Sequence, residues 1–298
     1  MRVFVTGATG FIGSAVVKEL IAAGHQVLGL CRSDDKAAAL AASGAEVHRG
    51  SLEDLDSLRS GIARSGGVIH LAFNHDFSKF VANCEHDRQI IKALGAALVG
   101  TQRPLVVTSG TGMTNTVPGQ LAREDGAIVT SNMIPRAASE EAVAALIAEG
   151  VNVSVVRLPQ VHDPVKQGLI SWFIEVIRAK GVSAYVGDGG NRYPAAHVLD
   201  VARLYRLALE KAEPGAKYHA VAEEGVSVKQ MAEVLGRRLS VPVKSITPEE
   251  APAHFGWLAM FAGLDLPASS ELTRRKLGWE PVGPGIIADL ERLQTRES

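Results

Sequence analysis

Val5-Thr6-Gly7-Ala8-Thr9-Gly10-Phe11-Ile12-Gly13 decides the reading of this chain. The apolar run Val3-Phe4-Val5 reads as a buried strand, and Val16, Val17, Leu20 and Ile21 recur at helical spacing behind it. Between strand and helix stand three glycines. Glycine is needed where the chain turns sharply, where backbone approaches a pyrophosphate, and where helix and strand pack closely. Unbonded N–H groups in the first turn of the helix then face the phosphates, and the helix dipole favours their charge. Gly7, Thr9, Gly10, Phe11, Ile12 and Gly13 are therefore read as a dinucleotide cradle. The alternative is a tight strand-to-helix turn with no ligand.

Composition fits an α/β enzyme. The 298 residues are 46% hydrophobic and 21% charged, which excludes disorder. A net charge of −1 leaves no electrostatic footprint for nucleic acid or for an anionic membrane. Cys31 and Cys84 give neither a disulfide framework nor metal-ligand spacing, and no apolar run approaches membrane-spanning length. The first strand begins at once, without a signal peptide. The expectation is a cytoplasmic protein without a metal, acting on a small-molecule substrate.

Further strands are expected at 26–30, 46–48, 68–71, 105–108 and 153–158, with helices at about 11–23, 35–42, 53–64, 78–100 and 136–149. This alternation implies a Rossmann-like, doubly wound parallel sheet joined by right-handed crossovers. Ligands then bind at the carboxyl edge of the strands, near the switch point. The end of the second strand selects the cofactor. An NAD site carries Asp or Glu there to hold the ribose hydroxyls, but this chain has Leu30-Cys31-Arg32-Ser33. Arg32 offers a fork of donors suited to a 2′-phosphate and Ser33 a hydroxyl, so NADP(H) is expected. Alternatively, Arg32 is a solvated loop residue.

Thr6-Gly7-Ala8-Thr9-Gly10-Phe11-Ile12-Gly13 resembles the TGxxGxxG motif of the extended short-chain dehydrogenases/reductases, the group containing the NAD-dependent epimerase/dehydratases. Gly50-Ser51-Leu52 resembles the adenine-binding segment of that family, with serine in place of its usual aspartate. Val68-Ile69-His70-Leu71-Ala72 is similar to its fourth-strand signature, and Ala196–Ala202 to its late segment beneath the substrate pocket. The resemblance implies that Ser51, Leu52, Leu71, Ala72 and Phe73 join the cofactor site. Family members also carry a tyrosine four residues before a lysine on the helix after strand five. The tyrosine passes a proton to the substrate oxygen, and the lysine lowers its pKa. None of the four tyrosines here precedes a lysine at that spacing. Aligned without a gap, Arg136 takes the tyrosine position, Glu140 the lysine position, and the neighbouring serine survives as Ser139. An arginine, with a pKa above ~12, is a poor proton donor. Arg136 and Glu140 are read either as an exposed i,i+4 ion pair or as a substituted site in which Arg136 binds a substrate anion or the cofactor.

Candidates for the missing donor lie along the same edge. Ser109 and Thr111, after strand five, can hydrogen-bond a carbonyl, or instead bond the local backbone. His75 has a pKa in the working range, although Asp76 beside it is a natural helix cap and His75 could be an exposed loop residue. Tyr193, with His197 four residues on, lies in a loop similar to the family's substrate-facing one, and His162 is a further choice. The later chain reads as a smaller α/β part. It has helices at 167–180, 198–210 (capped by Asp200 or nearby) and 228–238, and strands at 218–221 and 241–246. Phe255–Phe261 with Trp172 could form an apolar wall for a bulky substrate, and Pro118–Val129 a mobile loop over the pocket. Residues 1–160, with 196–222 packing back, are read as the dinucleotide-binding domain, and 161–195 with 223–298 as the substrate part. Alanines on the helices at 78–100 and 136–149 would permit close packing in a homodimer. The functional expectation is an NADPH-dependent reductase of an organic carbonyl or imine. The alternatives are an NADP(H)-binding sensor without turnover and a nucleotide-sugar epimerase or dehydratase.

Overall fold

The computed structural model describes residues 1–114, 117 and 119–294. The chain opens with β1 (Arg2–Thr6), α1 (Phe11–Ala22), β2 (Gln26–Cys31), α2 (Asp34–Ala42), β3 (Glu46–Arg49), α3 (Leu55–Ala63) and β4 (Gly67–His70). It continues with α4 (Phe80–Ala96), β5 (Leu105–Gly110), α5 (Ala138–Ala148), β6 (Val153–Leu158) and β7 (Gln160–His162). Next come α6 (Ile170–Lys180), β8 (Ser183–Val186), β9 (Arg192–His197), α7 (Val198–Lys211), β10 (Lys217–His219) and β11 (Glu223–Ser227). The last elements are α8 (Val228–Leu239), β12 (Val243–Ile246), α9 (Ala251–Phe255), α10 (Ala259–Ala262), α11 (Glu271–Leu277) and α12 (Ile286–Glu291).

Near-continuous apolar strands are what a sheet buried on both faces requires. Seven of them form one parallel sheet in the order β10-β6-β5-β4-β1-β2-β3. On one face Val3, Val5 and Val106 pack against α1 and α7; on the other Phe4, Val68 and Val107 pack against α3, α4 and α5. The chain reverses between β1 and β4, where Thr6 pairs with His70 in register. This switch point opens onto the carboxyl edge. Among the described residues, no helix is long and apolar enough to cross a membrane.

The later chain forms a three-stranded sheet (β11-β9-β7) and a parallel pair (β12-β8), covered by α6, α8 and α12. Three local expectations change. The strand expected at 218–221 is Lys217–His219, the outermost strand beside β6. The cap of α7 is His197, whose ring accepts from the Leu199 N–H at 3.3 Å. Asp200 instead accepts from the Val282 and Gly283 N–H groups at 3.0 and 2.8 Å and tethers the C-terminal segment. The loop expected to be mobile begins at Pro118, outside the described residues, but its later part is tied down. Ala122 exchanges backbone bonds with Pro267 and Ser269, and the buried Glu124 carboxylate accepts from the Thr273 N–H and hydroxyl at 2.7 Å each.

Candidate active site

The β1–α1 turn is shaped by contacts that no side chain could share. Gly7 sits at φ +70°, and a Cβ there would lie 2.8 Å from the Ala72 nitrogen. At Gly13 a Cβ would meet the Gly7 carbonyl oxygen at 1.9 Å. Gly10 caps α1 without any side-chain bond, so the first-turn N–H groups stay open toward the edge. Thr9 is half-buried there, while Phe11 and Ile12 pack against the core behind it. Leu71, Ala72 and Phe73 follow β4 across the turn, and the Ala72 N–H reaches the Thr6 hydroxyl at 3.4 Å. A bare-backbone cradle at the start of a 12-residue helix fits the diphosphate of a dinucleotide.

At the end of β2, Arg32 is exposed. Ser33 caps α2 with no side-chain bond, leaving its hydroxyl available. The nearest acid in sequence, Asp34, is paired with Arg49 at 2.5 Å. Ser51 and Leu52 follow β3, where Ser51 bonds the Glu53 carboxylate and holds it below its usual range.

A polar chain runs beneath the edge beside this turn. The Asp87 carboxylate on α4 can only accept, so the His70 Nε2 at 3.0 Å carries the hydrogen. His70 Nδ1 meets the Thr6 hydroxyl at 2.7 Å. The other Asp87 oxygen takes the Ser139 hydroxyl and an Arg136 Nη1–H, both at 2.6 Å. Arg136 stands on a single 3-10 turn (Pro135–Ala137) before α5; its Nη1 also donates to Ser139 and its Nη2 to the Thr108 carbonyl at 3.0 Å. Its guanidinium lies 4.3 Å from the centre of the Phe73 ring. Burial opposes charge on Asp87, but Arg136, His70 and Ser139 outweigh it and hold the carboxyl well below the usual range.

The exposed Arg136–Glu140 pair does not form. Glu140 turns the other way and holds Arg157 through two bonds of 2.8 and 2.7 Å, both side chains fully buried. Ser109 and Thr111 sit at the end of β5. The Ser109 hydroxyl is buried and has no hydrogen-bond partner among the described residues, whereas the Thr111 hydroxyl reaches the Leu158 carbonyl at 3.5 Å. Strand alternation puts Ser109 with Val107 on the α4/α5 side, the side of Arg136. His75 lies at the rim against Phe73 and Phe77, with ring centroids 5.3 and 6.2 Å away; this crowding, aided by Arg136, lowers its pKa. Tyr193, His162 and His197 are not brought to this edge. Tyr193 is buried in the core of the later part and its hydroxyl donates to the Phe261 carbonyl at 2.6 Å. His162 is fully buried with Asp289 at 2.7 Å, and His197 is occupied in capping α7.

Residues 3–222 match the NAD dependent epimerase/dehydratase family. The chain belongs to that family. The Schizosaccharomyces pombe protein named Uncharacterized protein C2A9.02 is 46% identical over 291 residues, 97% of this chain and 98% of its own. The 2-alkyl-3-oxoalkanoate reductase of Stenotrophomonas maltophilia is 29% identical over 228 residues, 72% of this chain and 67% of that protein. Among solved structures, the dTDP-glucose 4,6-dehydratase DesIV of Streptomyces venezuelae, with NAD and TYD bound, has a TM-score of 0.78 at 20% identity. That match covers 98% of this chain and 95% of DesIV, and it concerns the fold.

In this family member, sequence reasoning missed the partners of Arg136. His70 was visible only as part of a strand signature, and Asp87 not at all. The signal was present: Asp87 falls on the apolar stripe Cys84, Ile91, Leu94 of α4, where an acid needs a buried partner.

Proposed function

We propose that the protein is an NADPH-preferring oxidoreductase that reduces a small or medium organic carbonyl, or an imine, at the edge formed by Ser109 and Arg136. The observation that carries this reading is the Ser109 hydroxyl, buried and without a partner on the same side of β5 as a guanidinium with N–H groups to spare. A buried hydroxyl left unbonded is costly, about 1–3 kcal/mol, and a substrate oxygen would satisfy it. Gly7 to Gly13 would hold the diphosphate, Arg32 and Ser33 the 2′-phosphate, Ser51 and Leu52 the adenine, and Leu71 to Phe73 the inner ribose. The bound dinucleotide supplies the hydride.

Arg136 cannot release a proton at working pH; it stabilises charge as it builds on the substrate oxygen. Ser109 orients that oxygen by donating to it. His75, kept neutral at the rim, relays the proton from solvent. An imine substrate relaxes the requirement further, because an iminium accepts hydride without a strong acid nearby. A second reading, tight NADP(H) binding without turnover, draws on Arg136 and Glu140 both being committed to buried partners.

NADPH oxidation is to be followed against a panel of ketones, aldehydes and imines, with Ser109→Ala lowering turnover on whichever is reduced. Arg32→Glu is expected to weaken NADPH far more than NADH in calorimetry, and equal losses would remove the NADP assignment. Tight NADPH binding with no oxidation across the panel would replace the reductase by the sensor.

A further inference from the structure

Arg136 brings donors to the rim but little net charge. Its Nη1 lies 2.6 Å from Asp87, whose side chain is 3% exposed, and the other Asp87 oxygen is taken by His70. Among the described residues these bonds use three of the five guanidinium N–H groups, so donors remain for a ligand. A carboxylate ligand would meet Asp87 behind the cation it sought, and the repulsion cancels much of the attraction. A neutral carbonyl oxygen loses nothing from that arrangement.

The walls around the guanidinium are aromatic. Phe73 lies under it at 4.3 Å and meets Phe80 at 6.4 Å; Phe80 stacks on Phe77 at 5.6 Å, and Phe77 on Trp257 at 4.4 Å with ring planes 16° apart. Phe261 meets Phe77 edge-on at 6.3 Å. These contacts join the β4–α4 segment to the C-terminal part in one apolar surface.

We infer that Asp87 is a specificity-determining residue: by neutralising Arg136 it fits this edge to an uncharged aromatic carbonyl compound and turns away the carboxylate-bearing analogue. Asp87 acts through Arg136 and does not touch the ligand. The inference rests on the reading of this edge as the substrate site, but its test does not need turnover. The NADPH complex is titrated calorimetrically with benzamide and with benzoate. The wild-type complex is expected to bind benzamide at least about tenfold more tightly. Asp87→Asn should move the ratio at least about tenfold toward benzoate, and the double variant Asp87→Asn/Arg136→Gln should move it back. A merely structural role for Asp87 would weaken both probes alike. Benzoate bound as tightly as benzamide by the wild type, binding of neither probe, or an unchanged ratio in folded Asp87→Asn overturns the inference. If Asp87→Asn does not fold, the wild-type ratio decides. Preference for benzamide without NADPH oxidation on any carbonyl would sink the reductase reading alone.

Discussion

Two buried arginine–carboxylate pairs, Arg157–Glu140 and Arg136–Asp87, do different work. Arg157 and Glu140 are fully enclosed and joined through two bonds, and the Arg157 Nη1 group reaches His219 at 3.1 Å and the Glu124 carbonyl at 3.2 Å, so four of its five N–H groups are engaged among the described residues. Arg136 and Asp87 share a single bond, and the Arg136 side chain keeps 15% of its surface beside the aromatic wall. The first pair is sealed from solvent, so it serves to hold β6, α5 and the 124 loop together. The second keeps donors in reserve near the carboxyl edge of the sheet. A buried ion pair is weak evidence of stability in itself, but removing one partner leaves a charge that nothing solvates. What separates a scaffold from a site here is whether the guanidinium keeps an open face.

The largest expected effect follows from breaking the fully enclosed pair. Glu140→Gln should cost about 3–5 kcal/mol in urea unfolding, because Arg157 keeps its charge with no counter-ion; a loss below about 1 kcal/mol would put the two pairs on an equal footing. Arg136→Gln should lower kcat about 10²–10³-fold while leaving NADPH affinity in place, the pattern of a lost charge-stabilising donor. A parallel loss of NADPH binding would assign Arg136 to the cofactor instead.

Acid separates the pairs further. Burial and the adjacent Arg157 push the His219 ring down to about 3 from its ordinary 6.5. Below 6.5 the unfolded chain therefore binds more protons than the folded one, and stability is lost as pH falls from 6.5 toward 3. Asp87, depressed from 3.8, adds stability that is present above that value and lost only below it. Melting temperature against pH should fall in two stages, and His219→Gln should shrink the upper one, to which His75, His162 and His254, also lowered by burial, contribute as well. The smallest effect is expected at Ser139→Ala, about 1 kcal/mol, since Asp87 keeps Arg136 and His70; urea midpoints measure it.

The Rossmann sheet was readable because its signals are local. The glycine turn and the apolar runs at 26–31, 105–110 and 153–158 each specify their element within a few residues. The pairings around Arg136 were not readable, because they join residues brought together only by the closed sheet. Asp87 lies 49 positions from Arg136, and His219 lies 62 from Arg157. An i,i+4 spacing suggested Arg136 with Glu140, but the 3-10 turn at Pro135–Ala137 aims the first side chain at α4 while α5 aims the second at β6. Tyr193 misled for a related reason: α6, α8 and α12 pack on its face of β9, so its side chain lies in a core.

The seventh strand arrives late. Since β10 enters the sheet only after the excursion through α6, β8 and β9, cutting the chain near residue 160 would strip β6 of its outer neighbour and α1 of the α7 cover. The remnant would present an unprotected Val155–Val156 border, prone to self-association. A piece ending near residue 160 would need 196–222 spliced back onto it to recover that strand and that helix cover.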